Sequence, residues 1–411
     1  MKKLFFTVLT VLGIGSTAVA QDGFTVIQSE NNLRGIAISS NGNYIVGSTY
    51  EGQSFMYDVQ KNSVLTFGLE ADARSVSDNG VATGYDMTAP YTFSADGTSA
   101  QLEQVGYGGI AESITADGKV IAGSTDWDDA MYATHACIWK DGQVEFLPEP
   151  TSEWLGFTNN GTAAKFISND SSVIVGWIID DLATFPCIVW RKNTDGSYSA
   201  LPLGKRYYEP AYGNRPYWTF TATGLSRNGR YIALTTVQAA DRSAVVLPAR
   251  YDLETDVLEV CSSENVEEGY SYMSSNIADD GTLVGYAESD NTRKGFIWKS
   301  GEPSLKLLAE EYPQISNMAM YDGYFHVPTD ITPDGKKILG FGVNTESGAY
   351  ETYVIDREKL STGIDNVVSG NNGSNAEVAR YTTEGKRIVS PTKGINILKI
   401  ANGANRKVVV K

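Results

Sequence analysis

Carboxylates at recurring positions are the residues of this sequence best placed for chemistry. Glu51, Asp86, Asp126 with Asp128 and Asp129, Asp180 with Asp181, Asp241, Glu288 with Asp290, and Glu346 each follow a short apolar run. Gathered on one face, such groups would bind cations, ligate calcium or supply the acid and base of glycosidic cleavage. The competing reading is a solvated rim that keeps the chain soluble. A second set is aromatic: Trp154, then Tyr207, Tyr208, Tyr212, Tyr217 and Trp218, then Tyr270 and Tyr272, then Tyr312, Tyr321, Tyr324 and Phe325. Flat rings stack on the C–H faces of pyranoses, and carboxylates accept hydrogen bonds from sugar hydroxyls. The expected ligand-binding residues are therefore Tyr217 and Trp218 as the platform, with Asp126, Asp128 and Asp180 as polar contacts. The alternative is that the rings pack on one another as a structural cap.

No catalytic residue, metal ligand set or cofactor is expected. The sequence has no Gly-x-Ser-x-Gly, no His-x-x-x-His and no Cys-x-x-Cys, and its two histidines, His135 and His326, lie far apart. The cluster Gly106-Tyr107-Gly108-Gly109 lacks the Lys-Ser or Lys-Thr of a phosphate loop and reads as a flexible connection. Cys137, Cys187 and Cys261 are an odd set, which excludes a disulfide framework, and the first two sit in apolar runs as small buried hydrophobes. With 33 basic against 49 acidic residues the net charge is -16, so no nucleic-acid partner is expected.

Positioning these groups falls to a repeat. The segment from Gly35 to Gly47, with its turn at Asn41-Gly42, returns around Asn79-Gly80, Asp117-Gly118, Asp170-Ser171, Asn228-Gly229, Asp280-Gly281 and Asp334-Gly335. Asn-Gly and Asp-Gly favour type I′ turns, so each marks a hairpin, and Ser171 implies a different turn in the fourth copy. Nearly continuous apolar runs follow the turns, as in Tyr44 to Val46 and Val173 to Val175, and imply burial on both faces. A third strand, such as Ile138-Trp139 or Val189-Trp190, and a weaker fourth complete each unit. Turn spacings of 38, 38, 53, 58, 52 and 54 residues suit four short strands with loop insertions. The fold expected is all-β, a seven-bladed β-propeller plus a small C-terminal β module, in which the acidic and aromatic loops share one face. Blade seven lacks an evident fourth strand, and Phe24-Thr25-Val26-Ile27-Gln28 is expected to supply it.

Two motifs carry a resemblance. His135-Ala136-Cys137-Ile138-Trp139 is similar to the second motif of the extracellular propeller-like HAF repeats. Ile331-Thr332-Pro333-Asp334-Gly335-Lys336-Lys337-Ile338 resembles, more loosely, the blade signature of Tol-system propellers. The resemblance spans roughly residues 34 to 358 and implies architecture but no particular activity.

The ends differ from the repeat. Lys2 and Lys3, the apolar run Leu4 to Ile14 and the small-x-small close at Ala18-Val19-Ala20 read as a signal peptide over residues 1–20, too short to span a bilayer. The propeller is expected over 21–360 and a Gly/Asn/Ser-rich linker over 361–380. Residues 363–411 carry a net charge of +5 in an otherwise acidic chain. Within 381–411, Gly385-Lys386-Arg387-Ile388, Lys393-Gly394 with its alternating strand, and Lys407 to Lys411 resemble the C-terminal sorting domain of the type IX secretion pathway of Bacteroidota. That resemblance implies secretion machinery as a partner and a cell-surface or extracellular location. The function expected is non-enzymatic binding of a glycan or surface protein. The alternatives are a carbohydrate-active hydrolase or lyase using paired carboxylates, or an envelope protein whose work is protein contact.

Overall fold

The computed structural model describes residues 17–21, 23–28, 32–67, 71–86, 89–125, 134–150, 160–179, 187–203, 220–240, 243–263, 266–290, 292–313, 315, 325–345, 347–361, 377–383, 386–388, 390–400 and 405–410. The chain divides into two compact units, Met1–Ile355 and Asp356–Lys411. In the first there are seven antiparallel sheets, six of which run in chain order from an inner to an outer strand. The inner strands are Arg34–Ile38, Ala71–Val76, Gly109–Ile114, Thr162–Ile167, Phe220–Leu225, Ser271–Ile277 and Val327–Ile331. Each touches the next, and the seventh returns to the first, so the unit is a closed seven-bladed β-propeller. The second strands are buried along their middle residues, as their apolar runs require.

The hairpin turns between first and second strands correct the expected geometry. In blade 1, Gly42 N–H donates to Ser39 O at 2.8 Å and Ser39 N–H to Tyr44 O at 2.9 Å. This is a four-residue loop in which the glycine takes positive φ (72°) while Asn41 does not, so the turn is not type I′. The Ser39 hydroxyl holds the loop together, donating to Asn41 Oδ1 at 2.8 Å and accepting from Tyr44 N–H at 3.0 Å. Blade 4 makes the same turn, because Ser171 adopts φ 57° and donates its N–H to Ser168 O at 2.9 Å. A two-residue loop with positive φ at both positions does occur at Asp141-Gly142, between the third and fourth strands of blade 3.

A large aromatic anchors the third strand of most blades: Tyr57, Phe93, Trp139, Trp190, Tyr251 and Trp298 are all buried. The indole N–H groups are satisfied by backbone carbonyls, from Trp139 to Glu103 at 2.8 Å, Trp190 to Pro148 at 2.9 Å and Trp298 to Glu302 at 2.7 Å. Cys137, Cys187 and Cys261 are buried free thiols, and desolvation pushes the pKa of each upward. Among the described residues no helix is long and apolar enough to cross a membrane.

Blade 7 is closed from the other end of the chain. Val327–Ile331, Lys337–Val343 and Tyr350–Asp356 are followed in space by Phe24–Gln28, with Phe24 opposite Ile355 and Ile27 opposite Thr352. Thr17–Gln21 adds a fifth, outermost strand. Cleavage after Ala20 would leave Phe24–Gln28 as the edge. In the second unit, a short helix, Arg357–Ser361, precedes a separate four-stranded sheet built from Glu377–Thr382, Arg387–Ile388, Gly394–Ile400 and Asn405–Val410.

Deleting residues 21–30 would remove the fully buried Phe24, Val26 and Ile27. At about 1.5–3 kcal/mol per side chain, the melting temperature is expected to fall by about 10 °C. An unchanged melting curve by circular dichroism would show that the ring does not depend on this strand.

Candidate functional site: the channel and the loop-rich face

Each inner strand is interrupted once, at the same place. The register shifts between Gly35 and Ala37, Ala73 and Ser75, Ala111 and Ser113, Ala164 and Phe166, Ala222 and Gly224, Ser274 and Asn276, and Pro328 and Asp330. The residues left unpaired by these bulges are Ile36, Arg74, Glu112, Lys165, Thr223, Ser275 and Thr329, and all seven line the central cavity of about 340 Å³. In six of the seven blades the second strand carries a glycine where the bulged strand's carbonyl approaches it, and blade 5 carries Leu234 there. A Cβ on Gly123 would lie 2.0 Å from Ile110 O, and one on Gly176 2.0 Å from Ala163 O.

The charged bulge residues belong to consecutive blades and are paired with one another. Glu112, 8% exposed, binds Lys165 through Oε1 and lies 4.0 Å from Arg74 Nε through Oε2. Arg74 Nη2 also holds Asp72 Oδ2 at 2.9 Å, and Lys165 Nζ sits 4.4 Å from the Trp177 ring centroid. Burial raises the pKa of Asp72 against the pull of Arg74. Blades 5 to 7 contribute only hydroxyls at the matching positions, and their charged groups in the cavity are Arg227 and Asp330, which lie outside the bulges.

One end of the channel is closed by the hairpin turns, which bond around the ring. Asn41 N–H donates to Asp78 Oδ1 (2.8 Å), Asp78 N–H to Ala116 O (2.9 Å), Ala116 N–H to Asn169 Oδ1 (3.2 Å) and Asn169 N–H to Arg227 O (2.8 Å). The circuit continues from Asn228 N–H to Asp279 Oδ1 (2.9 Å), Asp279 N–H to Pro333 O (2.9 Å) and Lys337 Nζ to Gly42 O (3.3 Å). Arg227 crosses this floor to donate to Ile114 O at 3.2 Å.

Asp330 joins three blades beside the floor. Its carboxylate accepts from Ile38 N–H of blade 1 at 2.9 Å, from Ile331 N–H at 2.8 Å and from Asn276 Nδ2 of blade 6. Desolvation raises its pKa despite these donors and the charge of Arg227. Sequence reasoning missed Asp330 and the bulge residues. Aligning the repeats on their turns would have found the latter, since each lies three residues before the position of Ser39, Ser77, Thr115, Ser168, Ser226, Ala278 and Thr332.

Antiparallel order sends the loops after the second strands and the connections between blades to the opposite, loop-rich face. The expected ligand residues Tyr217, Trp218, Asp126, Asp128 and Asp180 lie outside the described residues, as do Asp129, Asp181, Asp241, Glu346, Trp154, Tyr207, Tyr208, Tyr212, Tyr321 and Tyr324. Of the other acidic loop residues, Glu51 and Asp290 are exposed. Several expected loop aromatics are packing residues instead: Tyr272, Tyr312 and Phe325 are buried, and Phe325 packs edge-on against Phe24 at 5.5 Å and Tyr353 at 5.6 Å. The connection holding Tyr107 is pinned, because Thr125 Oγ1 donates to Gly108 O at 2.8 Å and accepts from Val105 N–H at 3.1 Å. Among the described residues no group of three or more His, Cys, Asp or Glu is placed to hold a metal ion.

The raised pKa of Asp330 fixes the sign of a pH effect. A carboxyl group whose folded pKa exceeds its unfolded value stabilises the fold fully below the unfolded value, and that contribution is lost as pH rises through the folded one. Relative to Asp330→Asn, which cannot ionise, the wild-type protein is expected to lose melting temperature as pH rises from about 4 to about 7. A temperature difference that stays constant across the series, or moves the other way, contradicts this assignment.

No protein-family model matches this sequence, and no curated protein does. Solved structures do. An oligogalacturonate lyase from Vibrio parahaemolyticus aligns over 85% of this chain and 97% of its own, with 11% identity and a TM-score of 0.52. An oligogalacturonate lyase in complex with manganese aligns over 85% and 98%, with 13% identity and a TM-score of 0.52. A TolB from Acinetobacter baumannii aligns over 67% and 65%, with 15% identity and a TM-score of 0.40, too distant to carry a conclusion. What this chain shares with the two lyases is the fold, a β-propeller whose blades surround a central channel.

Proposed function

We propose that this chain is an exported, non-enzymatic binding propeller that holds a neutral or amino-sugar glycan on its loop-rich face. The observation that carries the reading is the state of the channel carboxylates. Glu112 is held by Lys165 and Arg74, Asp72 by Arg74, and Asp330 by two backbone N–H groups and Asn276. Glycosidic hydrolysis needs two carboxyl groups about 5–9.5 Å apart, one keeping a proton and one free to act, and carboxylates already committed to the protein's own donors are poor candidates for the free one. A glycan asks less of a site, namely aromatic platforms and hydrogen-bond acceptors. In this proposal Tyr217 and Trp218 are the platform and Asp126, Asp128 and Asp180 the polar contacts. The reading is supported by topology: Val120–Thr125 and Val173–Ile178 end, and His135–Lys140 and Cys187–Lys192 begin, at the loop-rich face. A net charge of -16 disfavours anionic polymers such as the galacturonate oligomers named for the structural neighbours.

The address is part of the same proposal. The N-terminal Lys2-Lys3 and apolar run direct export, and the basic C-terminal segment is a sorting signal read by a type IX secretion machinery at the cell surface.

Two measurements test this. Titration of the full chain with neutral and amino-sugar oligosaccharides is expected to give weak saturable binding that Trp218→Ala reduces by roughly tenfold or more with an unchanged melting curve. Absence of saccharide binding, or unfolding of Trp218→Ala, would favour protein contact as the function. Truncation after Gly363 is expected to leave a folded propeller that accumulates in the periplasm. Normal appearance of the truncated chain at the surface or in the medium would reduce the tail to a structural appendage.

A further inference from the structure

Ring closure brings the beginning and the end of the propeller sequence together on the loop-rich face. Tyr50, in the loop after the second strand of blade 1, is 71% exposed, unlike the buried Tyr272, Tyr312 and Phe325. Its ring stacks on that of Tyr350, the first residue of the third strand of blade 7, at 6.4 Å between centroids and 26° between planes. Tyr350 is braced from behind. The Phe341 ring meets it edge-on at 6.0 Å, and the Arg34 guanidinium carbon lies 5.4 Å from the Tyr350 centroid and 5.2 Å from that of Phe341. An exposed ring held by a fixed one is a surface that loses little side-chain entropy when a flat ligand settles on it.

Tyr350 also borders an open pocket of about 360 Å³, which it lines with Glu288, Asp290, Arg293, His326 and Thr345 among others. This is within the range of small-molecule sites. Arg293 donates through Nε and Nη2 to Glu288 Oε1, both at 2.7 Å, placing a donor and an acceptor side by side. Val343 N–H donates to His326 Nδ1 at 3.2 Å and fixes that ring. Asp290 occupies a two-residue hairpin loop with φ 41° and is exposed. The two carboxylates against one guanidinium leave the pocket with an excess of negative charge.

We infer that the rim shared by blades 6, 7 and 1 is a saccharide subsite separate from the Tyr217–Trp218 loop, selective for amino-sugar pyranoses. This inference rests on the glycan reading above. Tyr50 and Tyr350 offer the stacking platform, the Glu288–Arg293 pair addresses adjacent hydroxyls, and Asp290 faces the ammonium of a 2-amino sugar. An aliphatic ligand would leave the paired charges of the pocket without hydrogen-bonding partners, and a polyanion would meet the excess carboxylate.

The test is calorimetric titration of the full chain with three probes: a glucosamine tetramer, a neutral glucose tetramer and a galacturonate tetramer. Affinity is expected to fall in that order. Tyr50→Ala, at an exposed position, is expected to weaken glucosamine-tetramer binding by roughly tenfold, and Asp290→Asn, which keeps the positive-φ turn, to erase the preference for amine over neutral sugar. If Trp218→Ala weakens binding while Tyr50→Ala and Asp290→Asn match the wild type, this subsite is wrong and the glycan reading stands. If the wild-type chain binds none of the three, both are wrong.

Discussion

Everything in the first unit depends on the meeting of its two ends. A blade in the ring buries one face on each neighbour, so an open ring would expose the faces of two blades at once. Four interactions prevent it. Phe24–Gln28 pairs with Tyr350–Asp356, Thr352 Oγ1 accepts from Gly35 N–H at 2.8 Å and donates to Leu33 O at 3.0 Å, Asp330 takes Ile38 N–H, and Lys337 reaches Gly42 O. Three of these are polar contacts between residues about three hundred positions apart, formed in buried or part-buried surroundings where an unmade hydrogen bond costs more than at the surface. Closure also creates the channel, its floor of bonded turns and the Tyr50–Tyr350 rim.

The channel wall follows from packing before it follows from function. Inner strands crowd around an axis, and one bulge per strand supplies the extra twist while turning a single side chain inward. Those seven positions line the cavity, and their identity differs between blades. Here blades 2, 3 and 4 place an alternating Arg74–Glu112–Lys165 series there, with Glu112 between the two cations. With Asp72 on Arg74, two carboxylates face two cations along this part of the wall.

On the loop-rich face, aromatic residues divide into two kinds by burial. Phe325 lies between Phe24 and Tyr353, and Lys294 sits 4.4 Å from the Tyr270 ring while binding both oxygens of Glu267. These rings seal the tops of blades. Tyr50 stacks on Tyr350 and is 71% exposed, which leaves it area for contact with something else.

Turn chemistry is local, and so the blade count was legible in the residues alone. In five of the seven turns a hydroxyl, an Asn or Asp two residues on and a glycine next to it fall within six positions, with Ala278 replacing the hydroxyl in blade 6 and Ser171 the glycine in blade 4. The closing role of Phe24–Gln28 was legible for a related reason, since an unpaired third strand and an unused strand-forming segment need each other. The turn type was not, because the same dipeptide serves two-residue and four-residue loops and the choice rests on strand register. Ser171 adopts the glycine conformation because Ser168 and Val173 hold it there, at a cost that isolated sequence preferences cannot weigh against tertiary bonds. Residues 126–133, 180–186 and 204–219 contain the expected contacts and lie outside the described residues, so the assignment of Tyr217, Trp218, Asp126, Asp128 and Asp180 stays where residue type alone put it. Burial and proximity were decided by the tertiary structure alone. Which of two tyrosines is core and which is rim, and that residue 50 stacks on residue 350, depend on packing between blades and on a closure that no stretch of sequence contains.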